Sequence, residues 1–163
     1  MLILKWLVVT VLVLAIVAIV IGQTGLLRGT PPADLGVRDG RLKPPSATEN
    51  SVTSQATLYP EHAQRAYAQV APLSWRGDGA ETLARLKAIV ERTPNARVVT
   101  SEPGYLYAQY TTPLMKYVDD VEFWVDAGAR VVQVRSASRI GRKDLGANRK
   151  RIEAIRAALA AAP

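Results

Sequence analysis

The sequence predicts an α+β domain: an antiparallel four-stranded meander sheet packed with two helices and preceded by an N-terminal transmembrane helix. Three observations carry this. The first 21 residues are almost entirely apolar. Four runs of strand-like residues between 96 and 137 are joined by short turns, which favours antiparallel neighbours. The runs on either side of them, 79–94 and 144–162, repeat apolar residues at helical spacing.

From Leu2 to Ile21 only Lys5 and Thr10 are polar. About twenty helical residues, rising ~1.5 Å each, cross a ~30 Å hydrocarbon core. Lys5 lies near the end and can snorkel, and Trp6 suits the interface. A cleaved signal peptide would have an apolar region of only ~7–15 residues and a small-x-small site. "VIGQTG" is a poor version of that site, so residues 1–22 read as an uncleaved anchor. Lys5 and the amino terminus favour a start in the cytoplasm. Arg28, Arg38, Arg41 and Lys43 argue the other way under the positive-inside rule. The reading is a single-pass protein of the bacterial inner membrane with a periplasmic domain.

Residues 23–58 are dense in Gly, Pro, Ser, Thr and Asn without periodicity, and read as a linker and extended strap. The α+β domain follows at 59–163. In "GAETLARLKAIVERTP", Leu83, Leu86, Ile89 and Val90 form an apolar stripe, Asp78 is a natural N-cap and Pro94 ends the helix. "ARVVTSE" and "GYLYAQYTT" are strands around the Pro103-Gly104 turn. "YVDDVEFWVD" alternates, with Val121, Phe123 and Val125 on one face and Asp120, Glu122, Trp124 and Asp126 on the other. "RVVQVRSA" is the fourth strand. A last helix is capped by Asp144 and apolar along Leu145, Asn148, Ile152, Ile155 and Leu159. The helices take one sheet face and the other stays wet.

A two-residue loop at Ala127-Gly128 would pair third- and fourth-strand residues whose numbers sum to 255, setting Asp120 opposite Arg135 and Asp119 opposite Ser136. Asp119 then points to the apolar side and needs a partner, from Arg139 or the last helix. The charge is uneven. Residues 135–156 hold eight basic and two acidic side chains, while the remainder is almost neutral. The chain has no cysteine and one histidine, His62. That excludes disulfides, thiolate metal sites and multi-histidine sites, and no cofactor is expected.

"VDDVEFWVD" followed by "VRSASRIGRKDLGANRKRIEAIR", with "GVRDGRLKPPSATENSVTSQA" upstream, resembles the bacterial and plant domain-of-unknown-function family 1499 over roughly residues 36–158. The resemblance implies two cysteines in the opening segment, where this chain has Pro45 and Ser51; Asn50, Val52, Ser54 and Gln55 still match. Both cysteines are missing together, as a lost linked pair would be. The resemblance implies fold and boundaries but no activity.

Candidate ligand-binding residues are Arg135, Ser136, Ser138, Arg139, Asn148 and Arg149, a hydroxyl and guanidinium cluster at a helix start that suits an anion. Asp119, Asp120 and Glu122 are candidate structural ion-pair residues. Because Asp119 points away from the other two, a shared metal site is disfavoured and none is expected. Tyr105, Tyr107 and Trp124 either pack or line a groove. Arg149, Lys150 and Arg151 spread around a helix without a nucleic-acid motif, so no nucleic acid is expected. The expected function is non-enzymatic: binding an anionic ligand, an anionic lipid headgroup or an unknown protein partner. The alternative is a hydrolase-like enzyme using the carboxylates and a serine.

Overall fold

The computed structural model describes residues 1–75 and 77–161. Helix α1 (Leu2–Gln23) has 22 residues, all outside the domain core except Gly22. It is long and apolar enough to cross a membrane. Gly25, in the left-handed region at φ 84°, turns the chain into a single 3₁₀ turn, Leu26–Arg28.

The domain is α+β around one antiparallel sheet. Its strands are β1 (Ser51–Thr53), β2 (Leu73–Ser74), β3 (Ala96–Glu102), β4 (Tyr105–Thr111), β5 (Val118–Asp126) and β6 (Val131–Ser138). Its helices are the single-turn α2 (Arg65–Ala68), α3 (Gly79–Arg92) and α4 (Ala147–Ala161). The spatial order is β1-β6-β5-β4-β3, with β2 also on β6. The sheet therefore has six strands rather than four. β1 and β2 lie end to end along the free edge of β6, opposite 135–137 and 131–132. They are too short for a detectable alternation, and β1 lies inside the stretch whose composition reads as strap.

One face carries the core. Leu83, Leu86, Ile89 and Val90 of α3 meet Ile152, Ile155 and Leu159 of α4 over Leu106, Val121, Phe123, Val132 and Val134. Fully burying such a side chain is worth about 1.5–3 kcal/mol. The Asp78 carboxylate accepts the Glu81 N–H as N-cap of α3. Leu145 is a correction. It precedes α4 at φ 52° and is 87% exposed instead of joining the apolar stripe.

The other face is not wet. Residues 34–44 lie across it as a strap. Gln55 holds the strap at two points, accepting the Leu42 N–H and donating to the Gly40 carbonyl. Leu42 is buried beneath.

The hairpin register is a second correction. β5 and β6 pair with numbers summing to 257: Asp120 lies opposite Ala137, Glu122 opposite Arg135 and Asp119 opposite Ser138. The loop is 127–130, with Arg130 at φ 53° and the Asp126 carboxylate accepting the Ala129 N–H. A shift of two residues leaves every side chain on its original face. Alternation fixes the faces but is blind to an even slip.

Candidate functional site

The sheet separates two polar networks. On the strap side, Tyr105, Tyr107 and Gln109 of β4 stand beside Asp120 and Glu122 of β5 and Arg135 and Arg139 from β6 and its end. Arg139 holds Asp120 with two bonds, Nε to Oδ2 at 2.9 Å and Nη2 to Oδ1 at 2.8 Å. The Tyr107 hydroxyl donates to the same Oδ1 at 2.5 Å. Arg135 does not pair with Asp120 as a cross-strand neighbour. It lies 3.8 Å from Glu122 and donates to the Pro44 carbonyl. The expected Asp120–Arg135 pair is replaced by two buried pairs, Asp120 with Arg139 and Glu122 with Arg135, a consequence of the register and the strap.

Glu122 is 0% exposed. Its Oε1 accepts the Gly36 N–H and the Tyr105 hydroxyl, both at 2.8 Å. Its Oε2 has no hydrogen-bond partner among the described residues. Burial pushes the Glu122 carboxyl above its ordinary range, against the pull of Gly36, Arg135 and Tyr105. Burial likewise pulls Arg135 down, while the Asp120 bonds raise Arg139.

On the helix side, Arg151 of α4 donates to Asp119 at 2.5 Å, and its guanidinium lies 4.8 Å from the Tyr110 ring. Ser136 donates to the Asn148 side chain and accepts from Arg151. Asn148 donates to the Asn50 carbonyl, the Ser138 hydroxyl and Asp144. Burial pushes Asp144 up, but bonds from Tyr67, Gly146 and Asn148 hold it below its ordinary value. Arg149 donates to the carbonyls of Gln69 and Tyr67.

The candidate residues are therefore divided. Ser136, Ser138 and Asn148 gather on the helix side, bonded to one another. Arg135 and Arg139 lie on the strap side, and Arg149 ties α4 to the chain near α2. The serines do not meet Asp120 or Glu122; only Asp119 shares their side. Among the described residues no group of three or more His, Asp or Glu is placed to hold a metal ion.

Two clefts open on the strap side. One, of ≈ 480 Å³, runs between Leu35–Val37 and the rings of Tyr105, Tyr107 and Trp124. The other, of ≈ 670 Å³, is lined by Arg28, Arg97 and Arg139, with Asn95, Gln109 and Pro31. Among the described residues no carboxylate lines it. Arg97 bonds to the neutral Gln109 at 2.8 Å, and Arg28 has no acidic partner among the described residues. Sequence reading missed Arg28 and Arg97, because they are separated by 69 positions and neither lies in the basic C-terminal run.

These features define a small α+β domain on an apolar N-terminal helix, with charged groups buried on both faces of its sheet. The chain belongs to the family described as "Protein of unknown function (DUF1499)", whose model matches residues 41–159. No curated protein and no solved structure matches it.

Proposed function

We propose that this is a single-pass membrane protein whose domain is a non-enzymatic module binding an anionic group, a phosphate or carboxylate of the kind a lipid headgroup carries. The observation that carries the reading is the cleft lined by Arg28, Arg97 and Arg139 without an acidic residue. Asp120 neutralises Arg139, which leaves two guanidinium groups whose forked donors match such oxygens. Arg28 stands five residues beyond the end of α1, so the cleft opens near the level of the headgroups. The segment from Ser136 to Arg151 contributes Arg139 to it; Ser136, Ser138, Asn148, Arg149 and Arg151 bond within the domain. The hydrolase-like alternative lacks comparable support: Asp119 and Asp120 are each held by an arginine, and the hydroxyl partner of Glu122 is Tyr105.

The test is binding of inorganic phosphate and of short-chain phosphatidylglycerol to the full chain in neutral nanodiscs. Arg28→Ala and Arg97→Ala are each expected to weaken binding at least fivefold, and raising salt from ~50 to ~500 mM to weaken it further. Binding unchanged in both variants sinks the reading. Response to the lipid alone identifies a headgroup site, and response to both a general phosphate site. We read the domain as periplasmic in a bacterial inner membrane. A reporter fused after Pro163 that is active only in the cytoplasm would reverse that orientation.

A further inference from the structure

The end of α1 is fastened to the loop between β4 and β5. The Gln23 amide donates to the Leu114 and Pro113 carbonyls at 2.7 and 3.3 Å. A Cβ on Gly22 would meet the backbone of Met115 at 3.0 Å, so the helix is seated closely there. Around this point the domain exposes apolar side chains. Leu114 is 54% exposed, and Leu145 is 87% exposed on a left-handed backbone that a bulky residue rarely adopts. Tyr117, the half-buried Ile140 and Leu145 line one shared cleft of ≈ 320 Å³, whose carboxylates are already engaged, Asp119 by Arg151 and Asp144 by Tyr67 and Asn148. Gly29, just past α1, sits against Ile140, within 2.8 Å of an added Cβ. The patch is thus continuous with the helix end. Lys116 and Arg142 flank it in sequence, and neither has an acidic partner among the described residues.

An exposed leucine held in a strained conformation is unfavourable on both counts in a domain facing only water. Apolar tips within a basic rim match the headgroup and upper acyl region of an anionic bilayer. We propose that Leu114, Tyr117, Ile140 and Leu145, rimmed by Lys116 and Arg142, form a second membrane contact. It lays this end of the domain on the bilayer from which α1 emerges. The proposal rests on the reading of α1 as a membrane anchor. It sets the tilt of the domain: the β5–β6 loop, about eight strand residues or ~27 Å along β5, points away from the lipid.

The chain has no cysteine, so single labels can be introduced into the full-length protein. An environment-sensitive fluorophore is attached at Leu12→Cys, Leu114→Cys, Leu145→Cys or Ala127→Cys. Each variant is placed in phosphatidylcholine vesicles with or without phosphatidylglycerol, carrying acyl-chain-brominated lipid as quencher. Expected are strong quenching at 12, quenching at 114 and 145 at least threefold above that at 127, and a further rise at 114 and 145 with phosphatidylglycerol. Adding Leu145→Glu should at least halve quenching at 114. Quenching at 145 equal to that at 127, with 12 still quenched, overturns the contact and leaves the anchor standing. An unquenched label at 12 overturns both. The further rise should be lost in Lys116→Ala with Arg142→Ala; a rise that survives there and is lost in Arg28→Ala or Arg97→Ala instead belongs to the anion cleft and overturns the basic rim.

Discussion

Arg139 grips Asp120 with two parallel bonds of 2.9 and 2.8 Å beneath the strap, both side chains almost wholly shielded from water. This pair joins the end of β6 to the start of β5, and Arg139 gives the anion cleft one wall. Its geometry decides what a mutation there can mean.

Removing one member of a buried, bidentate pair leaves the other charge without compensation. Arg139→Ala is therefore expected to cost about 3–5 kcal/mol of stability, and Asp120→Ala a similar amount. The double variant should lose less than the two losses together, because it leaves no orphaned charge. Thermal and chemical unfolding of the three variants checks this; strictly additive losses would contradict it. Arg139→Ala is accordingly a poor probe of ligand binding, since it tests the fold first. Arg28 and Arg97 are cleaner.

Asn148 is the corresponding centre on the helix side, bonded to Asn50, Ser136, Ser138, Asp144 and Arg151. Asn148→Ala leaves several buried groups without partners, and about 2–3 kcal/mol should be lost. Asn50→Ala should be much less harmful in that background than in the wild type, because Asn148 reads the Asn50 backbone while the Asn50 side chain braces the same loop at Gly141. A double-mutant cycle in urea measures the coupling; none would mean the two act separately.

The legible part of the fold was what short-range periodicity encodes. The stripe of Leu83, Leu86, Ile89 and Val90, the Asp78 cap and the faces of β5 follow from spacing alone. The register did not, because an even slip is silent in an alternating pattern; the observed register comes with a four-residue loop closed by the Asp126–Ala129 bond. The strap was legible as irregular chain, but its burial of Glu122 was not: it depends on one backbone N–H, that of Gly36, meeting a carboxylate 86 residues away. The run of basic residues was legible as charge and not as geometry. Five of its arginines are held by Glu122, Asp120, Asp119 or backbone carbonyls, while the arginines of the anion cleft that lack an acidic partner among the described residues, Arg28 and Arg97, lie elsewhere.

The resemblance to relatives with two cysteines leads to a third expectation. Ser51 accepts the Ser46 N–H at 2.7 Å, so position 51 lies against the residue following Pro45. Pro45→Cys with Ser51→Cys should close a disulfide on mild oxidation. A loop this short is worth about 2 kcal/mol in the chain-entropy picture. Comparing oxidised and reduced double variant by mass and melting temperature decides it. Persistent free thiols under oxidising conditions would show that the two positions are not suitably placed.

Glu122 sets the sign of a pH dependence. Burial raises its carboxyl in the folded protein, so the native state holds the proton more tightly than the unfolded chain does. Stability from this group is fully present below the unfolded carboxylate value and is lost as pH rises through the raised folded value. Glu122→Gln retains an oxygen for the Gly36 N–H and removes the titration. Subtracting the variant's unfolding free energy from that of wild type across pH ~4–8 should give a difference that declines as pH increases. The constant offset reflects the exchange of the protonated carboxyl for an amide; the attraction of Arg135 acts only on the ionised carboxylate and is already contained in the slope. A flat or ascending difference would mean that Arg135, at 3.8 Å, keeps Glu122 ionised in spite of its burial.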